Sequence, residues 1–167
     1  MKILFISREG VDLYEALENS ETSRIIFRFY HPERHPCGVL IDTSSLGTGL
    51  SLVSELRWYV RRYMADVLFE VKEGVFGTYA LAREVYERDL QLDGAGVRHL
   101  FYGIREGKIF KIVSKGPGAE AEIPDELRTM DSVLEVWAPE NENGLPAFSE
   151  EEASLGDPGE NHLNEGL

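Results

Sequence analysis

The sequence has few of the features that would place it in a membrane or an oxidising compartment. Cys37 is the single cysteine, so the chain cannot form an internal disulfide, which agrees with a reducing environment. No apolar run reaches the roughly 18 residues that a membrane-spanning helix needs. The amino end, MKILFISREG, lacks the longer apolar region and small-residue cleavage site of a signal peptide. We therefore expect a cytoplasmic protein without a membrane partner.

Basic residues are missing from the carboxyl-terminal end of the chain. Residues 138–167 carry eight acids and no Lys or Arg, so most of the formal net charge of −13 belongs to this segment. The segment is rich in Gly, Pro, Asn and Glu, and burial of its few large apolar residues cannot offset its ordering entropy. We expect a folded domain over residues 1–137 and a flexible acidic tail over residues 138–167, which serves solubility or binds a partner.

Apolar runs and helical periodicity alternate along the folded part and predict an α/β domain. Short apolar runs at residues 39–41 and 66–71 flank a helical pattern over residues 50–64, which predicts a β-α-β unit with parallel strands. Two later runs flank REG and predict an antiparallel hairpin. We expect a three-layer fold with a mostly parallel sheet and this C-terminal hairpin. Further predicted elements are strands at residues 2–7, 24–30 and 132–137, helices near residues 11–18 and 74–90, and a helical turn at residues 124–128.

The stretch GVLIDTSSLGTGLS, residues 38–51, begins with an apolar run that ends in an acid, and four hydroxyl residues and two glycines separate this acid from the predicted helix. In open α/β sheets this position faces ligands, because helix N–H groups there attract anions. A phosphate cradle, a metal site and an ordinary helix cap all fit the pattern. The P-loop motif GxxxxGK[ST] does not occur in the chain. The candidate ligand-binding residues are Asp42, Thr43, Ser44, Ser45, Gly47, Thr48 and Gly49, together with Glu9.

Three side chains of types that bind zinc lie close together in the sequence: His31, His35 and Cys37. Pro32 and Pro36 oppose the helical geometry that would bring the two histidines together, and the nearby sequence offers no fourth ligand. We therefore interpret this segment as a surface loop, and we expect neither a metal site nor a cofactor.

The helix predicted over residues 50–64 carries a basic and aromatic cluster. Arg57, Arg61 and Arg62, with Trp58 between them, fall on the face opposite the apolar stripe. Three guanidinium groups around an indole ring suit an acidic protein segment or a phosphate backbone. Because the rest of the folded part is not basic, we expect a protein partner rather than nucleic acid. A solvated helix face without a partner is the alternative.

Four segments, read in order, are similar to the middle and end of the RecA/KaiC-like ATPase core. KILFISREGVDLYEAL resembles the strand that ends in the catalytic acid, at Glu9, and GVLIDTSSLGTGL resembles the Walker B strand, with its acid at Asp42. DVLFEV resembles a later strand, and LDGAGVRHLFYGIREGKIFKIVSKG resembles the hairpin that ends in a basic strand. The similarity covers residues 2–116 and lacks the P-loop strand with its lysine.

The resemblance implies a degenerate ATPase core that does not hydrolyse nucleotide, because the phosphate-binding segment is missing. Such a protein acts as a non-catalytic regulatory or adaptor protein through protein contacts, with Glu9 and Asp42 as relics of a nucleotide site. The resemblance suggests a P-loop ATPase of the same superfamily as a partner. Self-association is left open.

Two other functions fit the loop after Asp42. A module for phosphorylated ligands, similar to the STAS-type regulatory domains, would use Ser44 or Ser45 as a phosphate acceptor. A metal-dependent nuclease, similar to the PIN type, would use Asp42 together with further acids. Enzymatic activity is therefore left open, although we expect binding without catalysis.

Overall fold

The computed structural model describes residues 1–88, 92, 96–114 and 123–140 of the 167-residue chain. The strands within these ranges are β1 (Lys2–Ser7), β2 (Glu33–His35), β3 (Gly38–Asp42), β4 (Met64–Lys72), β5 (Val75–Thr78), β6 (Val97–Arg105), β7 (Lys108–Val113) and β8 (Ser132–Pro139). The helices are α1 (Leu13–Glu18), α2 (Glu21–Phe27), α3 (Leu46–Glu55), α4 (Arg57–Tyr63) and α5 (Tyr79–Arg88), and a 3-10 turn covers Asp125–Leu127. The prediction of an α/β fold is confirmed.

All of these strands belong to one sheet, in the order β2-β3-β1-β4-β5-β8-β6-β7. The pair β5–β8 is parallel, and the other six pairs of the described strands are antiparallel. The prediction of a mostly parallel sheet is therefore wrong. Strands β3 and β4 do run in the same direction, but β1 lies between them and is antiparallel to both. Helices α3 and α4 therefore cross over an intervening strand.

The burial of β1 shows why an apolar run does not reveal the direction of a strand. An apolar run such as residues 3–6 is typical of a parallel strand, because helices usually cover both faces of a parallel sheet. Residues 3–6 are indeed fully buried. Helices cover only one face of β1, however, while the second half of the same sheet covers the other. Burial on both faces therefore does not reveal strand direction.

The two faces of the sheet bury separate hydrophobic cores. Ile3 and Phe5 of β1 lie in a core to which all five described helices contribute side chains. Leu4 and Ile6, which point the opposite way, lie in a core that includes residues of β6 and β8. The molecule therefore has three layers, which are the helices and the two halves of one curled sheet.

The sheet curls strongly enough to bring its second half over its first. In a flat sheet roughly 24 Å would separate β1 from β7. Lys108 Nζ on β7 nevertheless lies 3.6 Å from Glu9 Oε1, just beyond β1. The β6–β7 hairpin is therefore packed against the carboxyl end of β1.

The predicted β6–β7 hairpin is confirmed, and its turn makes this contact. Arg105 pairs with Lys108, and the two turn residues, Glu106 and Gly107, have φ values of 51° and 79°. Positive φ at both positions is typical of a type I′ turn, which matches the twist of the strands. A Cβ on Gly107 would lie 2.6 Å from Glu9 Cα, so glycine permits this close approach.

Residues 24–30, predicted to form a strand, instead contain most of helix α2. Ile and Phe favour strands by propensity. The helix begins after Ser20, whose side chain accepts a hydrogen bond from the Ser23 N–H. Ser23 and Phe27 are both buried and lie four residues apart, which is helical spacing. Packing of this face on the core outweighs the strand propensity.

Three other boundaries differ from the prediction. Leu56 divides the predicted helix over residues 50–64 into α3 and α4, and β5 precedes the helix that was expected to begin at residue 74. Pro32 and Pro36 lie just outside the short edge strand β2, where proline removes no ladder hydrogen bond. Strand β8 continues to Pro139, so the fold extends beyond residue 137. The predicted acidic tail lies, from residue 141 onward, outside the described residues.

Candidate functional site

The hydroxyl-rich loop after β3 caps helix α3. Ser45 is the N-cap residue, and its Oγ accepts a hydrogen bond from the Thr48 N–H at 3.2 Å. Thr48 Oγ1 lies 2.9 Å from Ser45 Oγ and 3.3 Å from Ser44 Oγ. Thr43 Oγ1 donates to the Ser45 carbonyl at 3.1 Å. The hydroxyl groups thus bond to one another and to the backbone of the helix start, as expected for a helix cap.

The two glycines of this loop allow α3 to pack closely on its neighbours. A Cβ on the buried Gly49 would lie 2.7 Å from Ile3 Cδ1. A Cβ on Gly47 would lie 2.9 Å from the Tyr86 ring. Tyr86 and Tyr30 also line an open depression of about 650 Å³ beside this turn. Among the described residues, no buried side-chain atom without a hydrogen bond lines this depression.

Asp42 forms an ion pair with the amino terminus. The Met1 amine lies 2.9 Å from Asp42 Oδ1 and also donates to the Thr43 carbonyl at 2.9 Å. The hydrogen bond from this ammonium group lowers the pKa of Asp42, so the carboxylate stays ionised. Asp42 is highly exposed, at 71% for its side chain. Its contacts describe an exposed ion pair at the end of β3.

Glu9 and Asp42 lie at opposite ends of β1. Lys2 pairs with Asp42 across the β1–β3 ladder, whereas Glu9 follows the other end of the strand. A six-residue strand spans about 20 Å. The two acids therefore cannot share one metal ion or nucleotide, and the arrangement that the ATPase resemblance implies is not formed. Glu9 instead pairs with Lys108.

His35 and Cys37 contact each other at the edge of the sheet, where a surface loop was expected. His35 Nδ1 lies 2.9 Å from Cys37 Sγ, and His35 is the last residue of β2. Burial raises the pKa of the Cys37 thiol to about 11 and lowers the pKa of His35. A protonated, buried thiol is a poor nucleophile. His31 is exposed, and the described residues contain no group of three or more His, Cys, Asp or Glu that could hold a metal ion.

Helix α4 presents the predicted arginines around an aromatic cluster. The Trp58 ring packs edge-on against Tyr59 and Tyr63, with centroid distances of 5.0 and 5.8 Å. The Arg62 guanidinium lies over the Trp58 ring at 5.0 Å. Arg61 and Arg62 are exposed, while Arg57 is half-buried and donates to the Ser54 carbonyl at 3.0 Å. The structure thus brings these side chains together on one helix, beside a half-buried indole ring.

Helix α2 and the residue after its C-cap present a second surface of the same chemical type, which the sequence analysis missed. Ile25 is 66% exposed and Phe29 is 77% exposed. Arg24 and Arg28 are exposed beside them, and the Arg28 guanidinium lies 5.4 Å from the centroid of the Phe29 ring. The i, i+4 spacing of both pairs was visible in RIIFRF, but interpretation of this segment as a strand hid it.

A buried acid, Asp66, also escaped the sequence analysis because it opens an apolar strand. Asp66 is 2% exposed, and its Oδ1 accepts a hydrogen bond from the Val67 N–H at 2.8 Å. Lys111 Nζ on β7 lies 3.7 Å from its Oδ2 and 4.9 Å from the centroid of the Tyr102 ring. Burial raises the pKa of Asp66, and the positive charge of Lys111 opposes this effect less strongly. The ion pair joins the two halves of the curled sheet.

His99 is a second buried polar group. It lies on the face of β6 opposite to Leu100 and Tyr102. Its ring packs against Trp137 at a centroid distance of 4.8 Å, and the two residues are paired across the β6–β8 ladder. Neither ring nitrogen has a hydrogen-bond partner among the described residues.

The fold and these surfaces define a protein with a curled, mostly antiparallel sheet and a helical layer that exposes arginines and aromatic rings. The chain belongs to the family of unknown function DUF5804, whose model matches residues 1–104. This match includes α2, α4 and the loop after β3. No curated protein and no solved structure shows significant similarity to the chain. Among the described residues, the structure contains no helix with the length and apolar character needed to cross a membrane.

Proposed function

We propose that this chain is a non-catalytic regulatory or adaptor protein that binds an acidic protein segment on its helical layer. The binding surface has one part around α2 and one part on α4, and we call it the arginine–aromatic surface. It consists of Arg24, Ile25, Arg28 and Phe29, together with Arg57, Trp58, Arg61 and Arg62.

The exposure of Ile25 and Phe29 carries this proposal. Large apolar side chains that lie together on the surface and are surrounded by charge are typical of protein-binding sites. Burial of such a side chain is worth roughly 1.5–3 kcal/mol. A partner that covers both residues would gain this energy, because the fold itself leaves them 66% and 77% exposed.

The two parts of the surface belong to the same layer of the molecule. Ser20 Oγ, at the start of α2, lies 2.6 Å from the Tyr59 hydroxyl on α4. Phe27 of α2 and Tyr59 also share the core on the helical side of the sheet. The two parts of the surface are therefore on helices that contact each other within this layer.

The chemistry of the surface favours an acidic segment with apolar side chains. Guanidinium groups bind carboxylates through paired hydrogen bonds, and they also stack on aromatic rings. The Arg62 guanidinium already lies over the Trp58 ring at 5.0 Å, and this contact holds it beside the aromatic cluster. Residues 141–155 of this chain, NENGLPAFSEEEASL, have the required composition and provide a peptide for testing.

The proposal is tested by titration of a fluorescein-labelled peptide of residues 141–155, with anisotropy as the readout. We expect saturable binding that the double substitution R61E/R62E weakens at least tenfold, equivalent to about 1.4 kcal/mol. Phe29→Ser should weaken it by a similar factor. Raised salt should reduce the affinity, because exposed charges are screened.

Arg105→Glu serves as the control, because Arg105 is an exposed arginine at the β6–β7 turn. It should leave peptide binding unchanged. The titration is run with the full chain and with a chain ending at residue 140, since the covalent copy of the segment competes for the surface. Absence of binding to both chains, or equal loss with Arg105→Glu, would contradict the proposal.

The two loop-based alternatives have less support. Ser45, one proposed phosphate acceptor, caps α3, and Asp42, the proposed nuclease acid, pairs with the amino terminus.

A further inference from the structure

Strand β7 forms a long edge of the sheet, in contrast to β2 at the other edge. It has six residues, whereas β2 has three, and among the described strands it pairs with β6 alone. Phe110 and Val113 on this strand are 43% and 55% exposed. An edge strand with exposed apolar side chains is a template for pairing with another strand.

The backbone groups available at this edge follow from the register. The Ser114 N–H donates to the His99 carbonyl at 2.8 Å, and hydrogen-bonded pairs alternate along an antiparallel ladder. Phe110, which pairs with Gly103, is therefore bonded to β6. The N–H and C=O groups of Ile109, Lys111 and Val113 point away from β6.

The lysines of β7 do not protect this edge in the usual way. Edge strands are often protected by lysines that repel a second strand. Here Lys108 pairs with Glu9 at 3.6 Å, and Lys111 pairs with Asp66 at 3.7 Å. Both positive charges are thus held by acids of the same chain, which lowers the electrostatic cost of strand pairing.

From these observations we infer that β7 pairs antiparallel with β7 of a second copy of this chain. The inference is independent of the partner-binding function, because β7 does not belong to the arginine–aromatic surface. The dimer joins two sheets edge to edge around a two-fold axis perpendicular to the sheet. This symmetry keeps corresponding faces of the two sheets on the same side, and it makes the interface self-complementary.

The side chains of β7 favour one position of the two-fold axis along the strand. An axis at Lys111 would place two lysines opposite each other, which is unfavourable. An axis at Phe110 places the two exposed Phe110 rings together and sets Lys108 opposite Ile112. Ile109 of each copy then exchanges backbone hydrogen bonds with Lys111 of the other copy. The Phe110 axis therefore combines an aromatic pair with no opposed charges of like sign.

The inference is tested by the molar mass of the full chain in solution, measured by light scattering over about two decades of concentration. The expected mass is twice the chain mass of 18.9 kDa at the upper end of this range. Phe110→Lys places two positive charges at the axis and should yield a monomer. Phe29→Lys makes the same change at an exposed ring on the helical layer and should remain dimeric.

Amide hydrogen exchange of the wild-type chain gives a second readout that needs no variant. The amides of Ile109 and Lys111 should be protected at high concentration and lose protection on dilution. A wild-type monomer, or a Phe110→Lys variant that stays dimeric, would overturn the inference. Concentration-independent protection of these amides would also overturn it, because another part of the same chain would then cover the edge. Phe110→Lys should retain peptide binding, which separates the failure of this inference from that of the proposed function.

Discussion

Asp66 shows how much the environment of a single residue matters in this fold. Its carboxylate is buried between two halves of the sheet, and the lysine at 3.7 Å compensates only part of the lost hydration. A carboxyl group whose pKa is raised in the folded state binds more protons when folded than when unfolded. Its contribution to stability therefore falls as pH rises from the unfolded pKa through the folded pKa.

Asp66→Asn is expected to increase the free energy of unfolding at neutral pH by about 1–3 kcal/mol, because it removes a buried charge, keeps a similar shape and leaves a lysine whose side chain is 36% exposed to water. The gain over wild type should shrink as the pH is lowered toward the ordinary Asp pKa of 3.8. Urea unfolding of both proteins across this pH range measures the difference. A variant that is less stable than wild type at neutral pH would show that the Lys111 pair outweighs the burial cost.

Asp42→Asn provides a control of opposite sign. The amino terminus lowers the pKa of Asp42, so its contribution to stability is present above pH 3.8 and is lost as the pH falls through the folded pKa. This variant should be slightly less stable than wild type at neutral pH, and the difference should disappear in acid. A gain in stability at neutral pH would contradict the assignment of the Met1 pair.

At the scale of single elements, substitutions in α3 test whether the hydroxyl-rich loop serves as a helix cap. Ser45→Ala removes the acceptor for the Thr48 N–H and should lower the free energy of unfolding by about 1 kcal/mol. Ser51→Ala makes the same chemical change at an exposed position inside the helix, where alanine is favourable. Thermal unfolding of both variants is the measurement. Equal stability of the two variants would contradict the capping role.

Local signals in the sequence predicted several elements well. The strand at residues 39–41, the strand at residues 66–71 and the hairpin around REG follow from apolar runs and turn chemistry. Helix α2 was not predicted, because its Ile and Phe side chains favour a strand. Its helical conformation depends on packing against the core. The same error concealed Ile25 and Phe29, whereas the cluster of Arg57, Trp58, Arg61 and Arg62 could be found from spacing alone.

At the scale of the whole molecule, the order and direction of the strands depend on contacts between distant segments. The apolar sequence of β1 indicated that both of its faces are buried, but it could not show that the second half of the same sheet, through β6 and β8, covers one of them. The antiparallel pairing that results places Glu9 and Asp42 at opposite ends of β1. The two acids would lie at the same end of the sheet only if β1 and β3 were parallel. Asp66 could not be identified either, since its burial depends on the same closure of the sheet.

The central claim is that partners bind the helical layer rather than the loop after β3. Amide hydrogen exchange of the full chain, with and without saturating peptide of residues 141–155, locates the binding surface directly. We predict increased protection in α2 and α4, with no change at residues 43–49 or in β7. Protection confined to residues 43–49, with α2 and α4 unchanged, would contradict the claim and would favour a ligand site in the loop.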